Sequence, residues 1–275
     1  MSRNDVQLSP GVGVGISHPL LWIAGPCVIE SRDLVMTVAE TLKTLAEKWN
    51  FPFVFKSSFD KANRTSGKSY RGPGLDAGLK VLAEVKRTFC VPVTTDLHDV
   101  SQVKPVAEVV DLIQIPAFLA RQTDLVLAAA ATGRAVNVKK GQFMAPWDMK
   151  NAVAKCREVG NERVMLTERG TTFGYGLLVN DMRAIPWMQE CGVPVIFDAT
   201  HSVQTPGALG DKTGGDRRMA PVLARAGVAA GADGVFVETH PDPDRALSDG
   251  PNMIPLAELA DVITTCQRIR TAVKP

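Results

Sequence analysis

The segment PVIFDATH at 194–201 is followed by MAPVLARAGVAAG at 219–231 and then by GVFVETH at 234–240. The outer two are short and rich in β-branched and aromatic residues, and the middle one is long and rich in Ala. Strand, helix, strand in that order is a βαβ unit, with its two strands parallel. The same alternation runs back to residue 21. Strand-like runs are LWIAGP (21–26), FVFKSS (53–58), VPVTTDL (91–97), LIQIPAF (112–118), AVNVKKG (135–141) and VMLTERG (164–170). Helical patterns lie between them at 34–49, 78–88, 123–133 and 149–160, and a last one closes the chain at 256–273. Eight strands alternating with helices predict an α/β fold with a parallel sheet. No Gly-rich dinucleotide fingerprint follows the first strand, which argues against an open doubly wound sheet. The eightfold count predicts a closed (β/α)8 barrel of the TIM type. With no linker or low-complexity segment, residues 20–275 read as one barrel domain and 1–19 as a short N-terminal extension.

Bulk composition narrows the function classes. The chain has 275 residues, with 31 basic and 29 acidic side chains and a formal net charge of +2. That balance gives no basic excess for nucleic acid, and 6% aromatics offer few stacking platforms. Cys27, Cys90, Cys156, Cys191 and Cys266 are odd in number and widely spread, which predicts free thiols and a reducing, cytoplasmic setting. No run approaches a membrane span, and 1–19 lacks the apolar core of a signal peptide.

Strands buried on both faces should be nearly all apolar. Here polar residues crowd one end of every strand. Cys27 follows strand one, Lys56 and Ser58 end strand two, and Asp96 and His98 end strand three. Gln114 lies on strand four, Lys139 and Lys140 end strand five, and Glu168 and Arg169 end strand six. Asp198 and His201 end strand seven, and Glu238 and His240 end strand eight. That is the C-terminal end, where barrels of this kind build their sites. Lys56, Lys61, Arg64, Lys139 and Arg169 would repel one another at a common mouth unless anions fill it. Phosphates and carboxylates are the expected occupants. Cys27, His201, Glu238 and Asp249 come from strands one, seven and eight, which closure makes neighbours. They form a mixed soft and hard donor set suited to a transition metal such as Zn or Fe. The other four cysteines fall in helices or at a strand start and read as structural. Two long loops, 60–74 and 202–218, read as binding loops or lids.

The motifs AGPCVIES (24–31), FKSSFDKANRTS (55–66), TTDLHD (94–99), QIPAFLARQTDL (114–125), NVKKGQF (137–143), TERGTTFGY (167–175), DATHSVQ (198–204) and VETHPDPDRALSDG (237–250) resemble those of 3-deoxy-D-manno-octulosonate 8-phosphate synthases. The resemblance runs in order from about residue 20 to the C-terminus. It implies a transferase, a cytoplasmic homotetramer, that condenses phosphoenolpyruvate with D-arabinose 5-phosphate and water for the lipopolysaccharide inner core. Cys27 matches the metal-dependent class, since the metal-independent class carries Asn there. A divalent metal cofactor (Zn, Fe or Mn) is therefore implied on Cys27, His201, Glu238 and Asp249. The resemblance places phosphoenolpyruvate against Lys56, Ser58, Lys61, Gln114, Lys139 and Arg169, beside Ala117 and Phe118. The sugar phosphate falls to Asn63, Arg64, Thr65 and Asp96, with Arg121 reaching in from a neighbouring subunit. Lys61 is the candidate for polarising the aldehyde or moving a proton, and Asp96 and His98 for handling the proton of water.

Thr65 departs from the usual KANRSS, and Gly176 replaces an Asn after Tyr175. The nearest alternative is the synthase that uses erythrose 4-phosphate, whose strand-two loop reads KPRTS; Asn63 distinguishes the two. A non-catalytic barrel sensing phosphate or metal would need the anion site but not the catalytic groups.

Overall fold

The computed structural model describes residues 4–64, 66–205 and 214–273. The expected barrel is present. Its strands are β1 (Leu21–Gly25), β2 (Phe53–Lys56), β3 (Val93–Asp96), β4 (Leu112–Ile115), β5 (Ala135–Lys139), β6 (Val164–Glu168), β7 (Val195–Asp198) and β8 (Gly234–His240). Each is parallel to its neighbours, and β8 pairs with β1 from Gly234↔Leu21 to Glu238↔Gly25, closing the ring. The outer helices are α1 (Arg32–Trp49), α2 (Leu75–Phe89), α3 (Val103–Val109), α4 (Thr123–Ala131), α5 (Lys150–Glu158), α6 (Ala184–Gln189), α7 (Ala220–Ala229) and α8 (Leu259–Val273). The hydrophobic periodicity of the sequence does not mark α3 and α6. Both are short and carry a proline (Pro105, Pro186) that a helix tolerates only in its first turn.

The strand alternation separates two buried layers. Outward residues such as Trp22, Phe53, Phe55, Ile113, Val136, Leu166, Phe197 and Val235 pack under the helices in the main core. Inward residues form a second cluster at the foot of the barrel: Leu21, Ile23, Val54, Leu112, Ala135, Met165, Ile196 and Phe236. Further along the same inward rows the residues turn polar, to Lys56, Asp96, Gln114, Asn137, Lys139, Thr167, Asp198 and Glu238. The barrel interior is thus oil at its N-terminal end and charge at its C-terminal end. The strand-like runs read from sequence extended past several strand ends, into segments such as 57–58, 140–141 and 169–170.

Residues 4–19 are more than a tail. An antiparallel hairpin, Val6–Ser9 with Val12–Val14, inserts Val6, Leu8 and Val14 into the foot cluster. It seals the barrel end opposite the polar mouth. At that mouth Gly25 lies so close to the Lys56 carbonyl oxygen that a Cβ would overlap it, so β1 and β2 approach closely only with glycine there.

Because the plug is built from so few side chains, each matters. Leu8→Ala should destabilise the fold by about 2–3 kcal/mol in chemical denaturation, by cavity formation at the foot. Kinetic constants of the remaining folded protein should not change, since Leu8 lies at the end remote from the mouth.

Candidate active site at the barrel mouth

The C-terminal mouth encloses a cavity of about 310 Å³. Of the residues expected there, Lys56, Lys61, Asn63, Arg64, Asp96 and His98 line it from strands two and three and their loops. Ala117, Phe118, Lys139, Arg169, His201 and Asp249 line it from the other side. Ser58 and Gln114 are fully buried behind Asp96, and Cys27 and Glu238 are buried against the lining residues Asp249 and Lys56 without lining the cavity themselves. Thr65 is outside the described residues, as is 206–213 of the second long loop. Arg121 does not line this mouth. It is exposed and borders a separate cavity with Phe143, Asp148, Asn151 and Lys155.

The converging cations are balanced largely by the protein itself, which differs from the expectation that only bound anions would hold them together. Lys56 donates to Glu238 Oε1 at 2.7 Å and to the Cys27 carbonyl oxygen at 3.1 Å. Lys61 lies 3.7 Å from the same Glu238 oxygen. Lys139 donates to Asp198 Oδ2 at 2.6 Å, with its ammonium 3.6 Å above the Phe236 ring. Arg64 bonds Ser248 and lies 3.9 Å from Asp249. Arg169 differs. Its Nη2 donates to Gln204 Oε1 at 2.8 Å, whereas its buried Nη1 has no partner among the described residues. An unpartnered guanidinium edge inside a cavity is a ready seat for a phosphate or carboxylate oxygen.

Cys27, Glu238 and Asp249 each bring a ligand atom within 4.8 Å of the others. The Cys27 thiol donates to Asp249 Oδ2 at 3.2 Å and sits 3.0 Å from Ser248 Oγ. Glu238 Oε2 is buried without a hydrogen-bond partner among the described residues. An orphaned carboxylate oxygen beside a thiol and a second carboxylate fits a bound divalent cation. His201 stands beside this trio, outside the 4.8 Å group: its Nε2 is 3.6 Å from Glu238 Oε1 and its Nδ1 2.8 Å from Asp198 Oδ2. Asp249 adopts a left-handed backbone (φ 51°), which Asp tolerates better than most residues. Burial, then Asp249 and Glu238, push the Cys27 thiol well up, so without a cation it stays protonated.

Electrostatics set the remaining groups. Burial works against the Asp96 carboxylate, but Lys56 and Lys61 outweigh it and hold its pKa far below the ordinary range. Burial likewise opposes Asp198, where His201 and Lys139 prevail, and Glu238, where Lys56 and His201 prevail. Burial disfavours the Lys61 ammonium, yet the Glu238, Asp96 and Asp249 carboxylates around it raise its pKa well above normal. His98 is lowered by burial, so its imidazole is neutral near pH 7; its ring packs edge-on against Phe59.

Sequence reasoning did not single out Gln142 and Gln204, which also line the cavity. Gln142 sits in a turn and Gln204 in a two-residue strand outside the barrel, both too short for periodicity to mark the inward face. Lys140 and Glu168 were noted as strand ends but do not reach the mouth. They lie 3.6 Å apart behind it, and Lys140 donates to the Gly170 carbonyl oxygen at 3.2 Å and to Thr171 Oγ1 at 3.0 Å.

A closed barrel with buried cations, a partnerless guanidinium edge and a thiol–carboxylate trio at its strand ends defines an enzyme of the anion-handling barrel class. The chain belongs to the DAHP synthetase I family, which matches residues 4–274. It is 55% identical over 264 residues to a protein of Alkalilimnicola ehrlichii named 2-dehydro-3-deoxyphosphooctonate aldolase, covering 96% of this chain and 95% of that protein. Proteins of the same name from Acidithiobacillus ferrooxidans (54% over 264 residues, 96% and 94% coverage) and Pelobacter propionicus (55% over 264 residues, 96% and 97% coverage) are equally similar.

The depressed carboxylates predict the acid limb of stability. Their pKa values fall on folding, so their contribution is present above the unfolded value of about 4 and is lost as pH drops through and below it. The melting temperature should hold between about pH 8 and 5 and fall steeply below about pH 4. A melting temperature that rises on acidification through that window would contradict the assignment.

Proposed function

We propose that this enzyme condenses phosphoenolpyruvate with D-arabinose 5-phosphate and water, giving 3-deoxy-D-manno-octulosonate 8-phosphate and phosphate. The observation that carries an anionic substrate is the buried, unpartnered Nη1 of Arg169 inside a cavity that also holds Lys56, Lys61 and Lys139. The octulosonate product is favoured over the heptulosonate of the erythrose-using branch by the shared name of relatives about 54% identical over 96% of the chain. In this reading 20–275 is the catalytic domain and 1–19 an N-terminal extension, of which the hairpin of 6–14 packs at the barrel foot. The setting is the cytoplasm, and the product feeds lipopolysaccharide. No helix among the described residues is long and apolar enough to cross a membrane.

Carbon–carbon bond formation needs C3 of phosphoenolpyruvate to attack the sugar aldehyde while water adds at C2. The resulting phosphohemiketal expels phosphate by C–O cleavage. Arg169, Lys139, Lys56 and Gln114, with Ser58, Ala117 and Phe118, hold the carboxylate and phosphate of phosphoenolpyruvate in register. Asn63, Arg64 and Thr65 hold the sugar phosphate, and Arg121 of a second copy completes the site in a homotetramer. Lys61, kept as an ammonium by its carboxylate neighbours, donates to the aldehyde oxygen as the alkoxide develops. Asp96, held ionised, orients the attacking water by accepting a hydrogen bond, and the neutral imidazole of His98 takes its proton. Cys27, Glu238 and Asp249, with His201 beside them, would hold a divalent cation (Zn, Fe or Mn), which when bound would supply Lewis acidity.

Phosphate release should be fast with phosphoenolpyruvate plus arabinose 5-phosphate and slow with erythrose 4-phosphate. The reverse preference would return the protein to the heptulosonate branch. Dialysis against a strong chelator should abolish turnover, with Zn, Fe or Mn restoring it. Cys27→Asn should retain activity and lose that requirement, as the Asn-bearing class implies; full activity in the stripped, unsubstituted enzyme would remove the metal from the reading.

A further inference from the structure

A chain of hydrogen bonds crosses four adjacent strands inside the barrel and ends on Asp96. Thr167 Oγ1 on β6 lies 2.7 Å from Asn137 Oδ1 on β5. Asn137 Nδ2 lies 3.2 Å from Gln114 Oε1 on β4, and Gln114 Nε2 lies 2.6 Å from Asp96 Oδ1 on β3. Ser58, just past β2, bonds the other oxygen, Asp96 Oδ2. Gln114, Asn137, Thr167 and Ser58 are all 0% exposed. Neither Asn137 nor Thr167 lines the cavity.

The direction of the chain follows from the charge at its end. An ionised carboxylate only accepts, so Gln114 must present its NH2 to Asp96. Its carbonyl oxygen then faces Asn137, which must present its own NH2. The Asn137 oxygen is left for a donor, and the Thr167 hydroxyl is that donor. Every link points its hydrogen toward Asp96, and aligned links polarise one another. The foot of these strands carries Leu112, Ala135 and Met165, so an apolar layer was the available alternative to Gln114, Asn137 and Thr167. Polar groups at such depth cost free energy unless fully bonded.

We infer that Asn137 and Thr167 are positioning residues that hold the Asp96 carboxylate through Gln114, outside hydrogen-bonding distance of the Lys56 ammonium. With both carboxylate oxygens taken by neutral donors, Asp96 stays 3.9 Å from the Lys56 ammonium, which turns instead to Glu238 at 2.7 Å. Without the outer links, the Gln114 amide is free to rotate. A rotated amide sets its oxygen against Asp96, and the carboxylate then collapses onto Lys56 and Lys61. The functional consequence rests on the proposed role of Asp96 in the condensation.

Thr167→Val, nearly isosteric and lacking the donor, tests this by steady-state kinetics together with a high-resolution crystal structure. Expected are a kcat about tenfold lower and KM values for both substrates within about twofold, the loss of one buried hydrogen bond's worth of transition-state support. Thr167→Ser, which keeps the hydroxyl, should restore kcat, and the Thr167→Val crystals should show Asp96 moved toward Lys56. Unchanged kcat in Thr167→Val, or a loss that Thr167→Ser fails to restore, overturns the inference. If the unsubstituted enzyme releases no phosphate from the two substrates, the proposed function falls instead. The crystal comparison then decides alone: an unmoved Asp96 in Thr167→Val refutes the positioning role.

Discussion

The β1–β8 ladder is the contact on which the site depends. Cys27 and Asp249 are 222 residues apart in sequence, yet their side chains meet at 3.2 Å. They meet because the first and last strands pair over five residues, from Leu21↔Gly234 to Gly25↔Glu238. That register also sets Glu238 beside the end of β1. A slip of one residue would turn Glu238 out of the barrel and Val237 in. The foot plug and Gly25 serve the same end, since a barrel with a packed base and a close β1–β2 contact has little room to shift its strands.

Charge at the mouth is arranged in pairs that leave specific atoms unused. Buried ion pairs seldom raise stability over an apolar packing of the same volume, so a mouth built from Lys56–Glu238 and Lys139–Asp198 is poor design for stability alone. It is good design for exchange. Each lysine is held in place by a carboxylate it can share, and Glu238 divides its work between two oxygens. Oε1 takes the Lys56 ammonium, and Oε2 is left without a partner among the described residues. Arg169 has the complementary division, one nitrogen on Gln204 and one unpartnered. The Glu238 acceptor and the Arg169 donor, both unpartnered among the described residues, prepare the mouth for a cation and an anion at separate points.

Much of this was legible in the sequence because strands impose a period of two. Polar residues interrupting otherwise apolar strands at one end announced the mouth, and eight alternations announced closure. The same period explains the partial readings. Lys139 and Lys140 are adjacent, as are Glu168 and Arg169, yet only one of each pair faces the cavity. Gln142 lies in a turn and Gln204 in a two-residue strand outside the barrel, where spacing carries no facing information. The effect of Gly176 was also out of reach without the backbone. It sits at φ 85° in the turn between the short strands Thr171–Phe173 and Leu177–Val179. Gly and Asn are the residues that adopt such a conformation at least cost, so exchanging one for the other preserves the turn.

The residues facing away from the cavity then take on a meaning of their own. Lys140 is fully buried and bonds the Gly170 carbonyl oxygen and Thr171, and Glu168 accepts from the Gly170 amide at 2.6 Å. Arg169 lies between Glu168 and Gly170 in the chain, so its backbone is clamped on both sides. Without such a clamp, a long arginine at the end of a strand would lose its aim to rotamer freedom. The outward Lys140–Glu168 pair therefore acts on the same guanidinium that the inward cavity uses. Each strand end serves chemistry on one face and anchorage on the other, and neither face is separable from the alternation that created both.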